Sequence, residues 1–271
     1  MKKLSMIDAP ALAGVVREES IKAAIAEIKN CIYNGADMID LHMSCLPDTS
    51  VETLKPIIAS SKLPLLALNY NSRYDWSDAG FTEEERTNSF LRAVEAGAAG
   101  VDIQGYTFHL PSKNAFYGED KYSFTKGNPK EIVTDTVIID KQCEFIERVH
   151  GMGAEVLLSC HPAIAMNCQQ VVELALFLEK RKPDIIKIVT IANTEEEMLE
   201  SLKTMLALKR EVKTPVSYHA GGAAGALSRI LNPALGGQIA FCVDRFKAGS
   251  TMEQLDLKTA KNLVEELKKI L

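Results

Sequence analysis

The sequence has no long apolar run, and this absence limits where the protein can work. No stretch reaches the roughly 20 apolar residues that a membrane-spanning helix needs. No apolar segment precedes Asp8 that could serve as the core of a signal peptide. We therefore expect a cytoplasmic protein without a membrane partner.

The chain also lacks a basic stripe, paired cysteines and a flexible linker. Its net charge is −5 with acidic and basic residues interspersed, so we expect no nucleic-acid partner. Six scattered cysteines without a Cys-x-x-Cys pair favour reduced, packed thiols. No Pro-, Ser- or Gly-rich stretch divides the 271 residues, so we predict one domain over residues 1–271. Small-molecule chemistry remains as the default class of function.

Short apolar runs alternate with segments of helical periodicity from end to end. This pattern is typical of parallel strands joined by crossover helices. With 46% hydrophobic residues the chain can bury one large core, and eight β/α units in this length predict an α/β fold, a single (β/α)8 TIM barrel. The predicted strands cover residues 11–16, 38–42, 65–69, 100–104, 155–159, 185–189, 216–219 and 238–243.

The segments between these strands predict amphipathic helices. Two of them begin with a capping-box spacing, Thr82 with Glu85 and Thr194 with Glu197. The predicted helical stretches include residues 18–34, 82–96, 140–150, 168–179, 194–211 and 257–271.

One connection is much longer than the others. Residues 105–137, between strand four and its helix, carry many aromatic residues among Pro, Gly, Asn and Lys. Connections this long are usually functional or mobile, and one that follows a strand's carboxyl end overhangs the catalytic face of a barrel. We interpret it as a candidate lid, with a decorative surface insertion as the alternative.

Lys187 lies in the apolar run of residues 184–189, which otherwise has the composition of a fully buried strand. Burial penalises the ammonium form of a lysine and lowers its pKa, so the amine becomes a usable nucleophile toward a ketone or aldehyde. The ordinary alternative is a lysine that extends its amine to water. If Lys187 points inward, alternation places Ile185 in the lumen and Ile186 and Ile188 against the helices.

Other predicted strands end in polar side chains at alternate positions, which therefore share a face. Such pairs are poor core material unless they meet one another or a ligand. The pairs are Asp40 with His42, Asp102 with Gln104, and Ser159 with His161.

Six short segments resemble, in order and spacing, the type I 3-dehydroquinate dehydratase family. The similarity covers essentially the whole barrel, and Ser-x-His followed at strand spacing by Asp-x-x-Lys is its most specific part. The segments are GADMIDLH at 35–42, VDIQ at 101–104, LSCH at 158–161, DIIK at 184–187, SR at 228–229 and STMEQ at 250–254.

The resemblance implies a role for each matching residue. Lys187 resembles the lysine that forms an iminium with the substrate ketone, and His161 the general acid/base that removes the neighbouring proton and assists loss of water. Arg229 resembles the arginine that holds the substrate carboxylate. Ser250 and Gln254 resemble the pair that hydrogen-bonds the carboxylate and a ring hydroxyl.

These roles together imply a Schiff-base lyase that converts a cyclic keto acid such as 3-dehydroquinate to 3-dehydroshikimate. The family resemblance further implies the shikimate pathway, a homodimer, and no cofactor or metal. Whether the pathway is aromatic amino acid biosynthesis or catabolism stays open.

Four positions depart from the family pattern. Asp40 and His42 stand where the family has Glu-x-Arg, Tyr70 where it has an arginine, and Gln104 where it has a glutamate partner of the histidine. A neutral amide cannot stabilise an imidazolium, so His161 should be less basic here. With fewer arginines, the site can form fewer bidentate hydrogen bonds to substrate oxygens. A related cyclic or open-chain keto acid therefore stays open as substrate, with these four residues as candidate substrate-binding groups.

Two other functions stay open. A class I aldolase also uses an iminium lysine on a barrel strand, and the glycine-rich residues 219–225 and 235–237 could bind a phosphate through backbone N–H groups. A barrel that binds a metabolite without turning it over is the non-enzymatic alternative. His42, His109 and His219 lack a metal-site spacing, so we expect separate, hydrogen-bonded or exposed histidines.

Overall fold

Eight parallel strands form one sheet that curves into a barrel. The computed structural model describes residues 3–70, 80–109, 132–162, 164–247 and 254–269. The strands are β1 (Ala11–Val16), β2 (Met38–His42), β3 (Leu65–Leu68), β4 (Gly100–Gln104), β5 (Glu155–Cys160), β6 (Ile185–Ile191), β7 (Val216–Gly221) and β8 (Ile239–Val243). They are hydrogen-bonded in the order β7-β6-β5-β4-β3-β2-β1-β8.

Two hydrogen bonds close the barrel between β7 and β8. The backbone N–H of Gln238 donates to Val216 O at 2.9 Å, and Ser217 Oγ donates to Ile239 O at 2.8 Å. The sheet therefore encloses a lumen, and the predicted (β/α)8 barrel is confirmed.

All eight predicted strands are present, and the bounds of β1, β2 and β4 are those predicted. β6 and β7 each run two residues further than predicted, because they pair with each other as far as Ile191 and Gly221. Such pairing overrides the weak strand preference of the glycine at the end of β7.

The helices cover the outside of the barrel. They are α1 (Ile21–Tyr33), α2 (Val51–Ala59), α3 (Glu83–Glu95), α4 (Thr136–Gly151), α5 (Cys168–Glu179), α6 (Glu195–Glu211), α7 (Ser228–Ala234) and α8 (Leu257–Leu267). Both predicted capping boxes form, at Thr82 and at Thr194. Among the described residues, no helix combines the length and the apolar character needed to cross a bilayer.

The observed helices differ from the predicted stretches in some bounds, and two of them were not named from the sequence. α2 and α7 were not among the predicted stretches, because both are short and contain a proline, Pro56 and Pro233. α4 begins before the predicted start at residue 140, because the side chain of Asp135 accepts from the Val137 N–H and caps the helix there.

The core divides into an inner and an outer cluster, as alternation along the strands requires. Ile185 belongs to the inner cluster with Phe241, whereas Ile186 and Ile188 belong to the outer cluster between strands and helices. The predicted inward orientation of Lys187 is therefore confirmed by its neighbours on the same strand.

The amino-terminal end of the barrel is plugged. The turn Leu4–Met6 places the buried side chain of Leu4 against Gly100, where an added Cβ would lie only 2.6 Å from Leu4 Cδ1. The backbone N–H of Ser5 donates to the Glu155 carboxylate. Access to the lumen is thus left to the carboxyl-terminal end.

A fully buried arginine ties α3 to the rim of the barrel. Nη1 of Arg86 donates to Asn69 O at 2.9 Å and to Gln104 Oε1 at 2.5 Å. Nη2 donates to Glu83 Oε1 at 2.7 Å and to Thr107 Oγ1 at 3.0 Å. This one side chain therefore fixes the ends of β3 and β4 relative to each other.

Replacing Arg86 by methionine should lower the free energy of unfolding by about 3–5 kcal/mol, because it leaves the buried acceptors of the guanidinium without their partner. Urea denaturation measures this loss. The matched control is Arg92→Met on the same helix, where a half-buried arginine donates to Thr49 and about 1 kcal/mol should be lost. Equal losses in the two variants would contradict a special role for Arg86.

Candidate active site

Lys187 stands in the lumen beside a buried carboxylate. Its side chain is 8% exposed, and Nζ lies 3.7 Å from Oδ2 of Asp102, which is fully buried. Nζ also lies 4.3 Å from the centre of the Phe241 ring, within the range of a cation–π contact. The amine is therefore held between an anion and an aromatic face.

The surroundings of Asp102 shift its pKa. Burial raises its pKa to about 6, although the charge of Lys187 and a hydrogen bond from Ser159 both act in the opposite direction. Ser159 Oγ donates to Oδ1 at 2.6 Å. Near neutral pH the carboxylate is thus mostly ionised. Because its pKa of about 6 lies close to neutral pH, it can exchange a proton near the amine.

His161 follows β5 and is buried on the same side of the barrel. Burial lowers its pKa well below the ordinary value, and the positive charge of Lys187 lowers it further. The ring is therefore neutral near neutral pH and can accept a proton. The prediction of a less basic histidine agrees in direction, but burial is its leading cause.

Tyr70, at the end of β3, contacts His161 directly. Its hydroxyl lies 3.4 Å from His161 Nε2, and the two rings meet edge to face with centroids 6.0 Å apart. On another side the Tyr70 ring borders His42, at 6.1 Å between centroids.

Asp40 and His42 form a buried pair at the end of β2. His42 Nε2 lies 3.0 Å from Asp40 Oδ2. Burial lowers the pKa of His42 despite the attraction of Asp40, so the neutral ring donates its Nε2–H to the carboxylate. Burial alone would raise the pKa of Asp40, but His42 and Lys187 together hold it below its usual value.

Further cationic and imidazole groups surround the mouth of the lumen. His219 on β7 is buried, and burial followed by the charge of Arg229 lowers its pKa well below the ordinary value. The charge of Arg229, at the start of α7, also lowers the pKa of His161. The charge of Arg17, just after β1, lowers the pKa of Asp40. The mouth therefore carries fixed positive charge on two sides.

The side chain of Gln104 is hydrogen-bonded to Arg86 and to its own strand. Its Oε1 accepts from Arg86, and its Nε2 donates to the backbone oxygen of Asp102 at 2.9 Å. His161 contacts Tyr70. The role of Gln104 as a substrate-binding residue stays a prediction.

The final loop is described only in part. Gln254 is 6% exposed, and its Oε1 has no hydrogen-bond partner among the described atoms. Ser250 lies outside the described residues, and so do residues 110–131 of the long connection after β4.

Among the buried side-chain oxygens without a hydrogen-bond partner in the described part of the chain are Asp40 Oδ1, Asp102 Oδ2 and Gln254 Oε1, which belong to residues of this site. Native proteins rarely leave such acceptors unsatisfied, so a ligand with hydroxyl or other donor groups fits this site. Among the described side chains, no three His, Cys, Asp or Glu residues converge as a metal site would require.

Sequence reasoning missed several of these groups. Asp102 and Ser159 were recognised as polar residues on the same faces as Gln104 and His161. They were not recognised as partners of the lysine, because only strand register places Ser159 opposite Lys187. His219 was interpreted as a separate histidine. Its position on the inner face of β7, two residues after Ser217, was the available signal.

Comparisons with known proteins point to one family. The 3-dehydroquinate dehydratase of Desulfotalea psychrophila is 25% identical over 211 residues, 77% of each chain. That of Methanobrevibacter smithii is 22% identical over 250 residues, 92% of this chain and 90% of the relative. The crystal structure of 3-dehydroquinate dehydratase from Geobacillus kaustophilus has a TM-score of 0.77 at 15% identity, and covers 99% of this chain and 96% of that one.

A family model described as type I 3-dehydroquinase matches residues 132–270, about half of the chain. All five residues assigned by family resemblance lie inside this match, whereas all four departures from the family pattern lie before it. The match covers just over half of the 271 residues, so the chain belongs to the type I 3-dehydroquinase family.

Proposed function

We propose that the protein is a Schiff-base hydro-lyase that removes water from a cyclic keto acid such as 3-dehydroquinate, giving 3-dehydroshikimate. The observation that carries this proposal is the buried Lys187 amine, 3.7 Å from Asp102 and close to the neutral His161. An amine, a carboxylate and a base in one enclosed lumen are what imine formation and proton abstraction need.

The proposed reaction begins with attack of the Lys187 amine on the substrate carbonyl. Loss of the carbonyl oxygen as water gives an iminium, whose positive charge lies beside the Asp102 carboxylate. His161 then removes a proton from the neighbouring carbon, and the resulting enamine expels the hydroxyl group. Hydrolysis of the conjugated iminium releases the product and restores the amine.

Arg229 is the proposed partner of the substrate carboxylate. Its charge acts on both His161 and His219, so a carboxylate bound there would lie close to the base. We propose Gln254 and Ser250 as further partners of the substrate, and Gln254 Oε1 is a buried acceptor in need of a donor. As the family resemblance implies, we also propose a cytoplasmic homodimer.

The four departures from the family pattern bear on the identity of the keto acid. Asp40, His42 and Tyr70 can each transfer a proton or form single hydrogen bonds. They cannot form the bidentate hydrogen bonds by which an arginine binds a carboxylate. A keto acid related to 3-dehydroquinate, with Arg229 still binding the carboxylate, is the second candidate substrate.

The aldolase alternative receives less support from the glycine-rich loops. The N–H groups of Ala224 and Gly225 donate to Ala192 O and Gly222 O, and that of Gly237 donates to Asn232 O. The N–H of Ala220 donates to Ser228 Oγ. These donors are committed within the protein, so they are poorly placed to bind a phosphate.

Replacing Lys187 by alanine should abolish covalent capture of 3-dehydroquinate by sodium borohydride, because the amine that forms the iminium is lost. Intact-protein mass measures the capture, and an ultraviolet assay for the conjugated enone measures turnover. The matched control is Lys203→Ala on the surface of α6, whose side chain is 69% exposed and which should keep both. An adduct that persists without Lys187 would place the nucleophile elsewhere, and a wild-type enzyme without adduct or enone would refute the proposed function.

The pH profile should report Asp102. Because burial raises its pKa to about 6, the carboxylate is present above this pH and lost below it, so kcat/KM should fall as the pH drops through 6. The charged groups that act on it are Lys187, Asp40 and His161. The pKa of His161 lies well below its ordinary value. We therefore assign the acidic limb of the profile, the fall in kcat/KM near pH 6, to Asp102.

Two variants test that assignment. Ser159→Ala removes a hydrogen bond that favours the charged carboxylate, so the limb should move to higher pH. Asp102→Asn should remove the limb altogether. A limb that stays at the same pH in both variants would assign it to another group.

A further inference from the structure

The ring of Tyr70 joins two buried histidines at the mouth of the lumen. Its hydroxyl lies 3.4 Å from His161 Nε2, and the ring borders His42 at 6.1 Å. Tyr70 itself is partly exposed, whereas His161 is 6% and His42 3% exposed. The phenol therefore lies against the base of the site while part of its surface stays exposed.

The chemistry of water loss requires two proton transfers at neighbouring positions. One proton leaves a carbon atom, and another must reach the departing oxygen so that it leaves as water. His161 is neutral and can accept the first proton. A second group that can donate is needed close to the same part of the substrate, unless His161 performs both transfers in turn.

We propose that Tyr70 is a second catalytic residue, the general acid that protonates the departing hydroxyl group while His161 serves as the base. This inference rests on the Schiff-base dehydration proposed above and adds a residue to it. A phenol carries no charge and one O–H group. It is therefore a poor substitute for an arginine that binds an anion, but it is competent as a proton donor.

The proposed step is balanced in protons and electrons. His161 Nε2 takes the proton from the carbon beside the iminium, and the C–H electron pair forms the enamine double bond. The enamine electrons then restore the iminium, now conjugated, as the C–O bond breaks and its pair stays on oxygen. The Tyr70 proton goes to that oxygen, and water leaves.

The contact between the two side chains completes the cycle. After water has left, an imidazolium and a phenolate face each other across the 3.4 Å between Nε2 and the tyrosine oxygen. Transfer of the proton from Nε2 to that oxygen returns both groups to their starting states without any other reactant. The Asp40–His42 pair keeps its own hydrogen bond of 3.0 Å and positions the other side of the phenol ring.

Tyr70→Phe tests the proposal, because it keeps the ring contacts and removes only the hydroxyl. Two rates are measured with 3-dehydroquinate in deuterated water: exchange of the carbon-bound proton by NMR, and enone formation by ultraviolet absorbance. We expect exchange at close to the wild-type rate and dehydration about 10²–10⁴-fold slower, the usual contribution of one acid or base. Borohydride capture at Lys187 should be unchanged.

The matched control is Tyr218→Phe. Tyr218 is equally a tyrosine at a barrel strand, but it faces the outer core, where its hydroxyl lies 3.0 Å from Thr190 Oγ1. This variant should keep both rates, and thermal melts of both variants should show that they fold. Equal losses of exchange and dehydration in Tyr70→Phe, or wild-type dehydration, would overturn the acid role. Absence of any borohydride adduct in the wild-type enzyme would instead overturn the underlying proposed function.

Discussion

The contact between Lys187 and Asp102 imposes the strongest constraint on this barrel. Removing an ammonium and a carboxylate from water costs several kcal/mol for each ion, and only close pairing and further hydrogen bonds offset the loss. The protein meets this requirement with a distance of 3.7 Å, a hydrogen bond from Ser159 to the carboxylate, and the Phe241 ring beside the amine. Each of these partners comes from a different strand, so the pair depends on the closure of the whole barrel.

The same constraint explains why the lumen is polar at one end and apolar at the other. The amino-terminal end is filled by the turn Leu4–Met6 and by apolar side chains of the inner cluster. The carboxyl-terminal end holds buried groups whose pKa values burial shifts in both directions, upward for Asp102 and downward for His161 and His219. Groups that titrate away from their ordinary values in one lumen are typical of sites that move protons.

Rigid support for this end comes from outside the lumen. Arg86 on α3 is fully buried and holds Gln104 and the backbone of Asn69, which lie at the ends of β4 and β3. Tyr70 follows Asn69 directly, so the arginine indirectly fixes the phenol near His161. Buried charge in the helix layer thus contributes to the geometry of the proposed chemistry.

Sequence patterns predicted the fold well because strand alternation and helix capping are local. The eight strands follow from such patterns, and so do the faces of Ile185, Ile186 and Ile188 once Lys187 is taken to point inward. The short helices α2 and α7, which contain Pro56 and Pro233, were not named from the sequence. The candidate site was predicted less completely. Which side chains meet depends on strand register and on Arg86, and neither the Ser159–Lys187 register nor the capture of Gln104 by an arginine from α3 can be deduced from local spacing.

In the proposed reaction, the carbonyl carbon of the keto acid becomes bonded to Lys187 in every turnover. Formation of an iminium expels the carbonyl oxygen, and its hydrolysis installs an oxygen from solvent. The most direct measurement is therefore a single turnover of 3-dehydroquinate in ¹⁸O-labelled water, with mass analysis of the product and a correction for uncatalysed exchange. If the iminium forms, we expect one solvent oxygen in the ketone of each product molecule. An unlabelled ketone would contradict iminium formation.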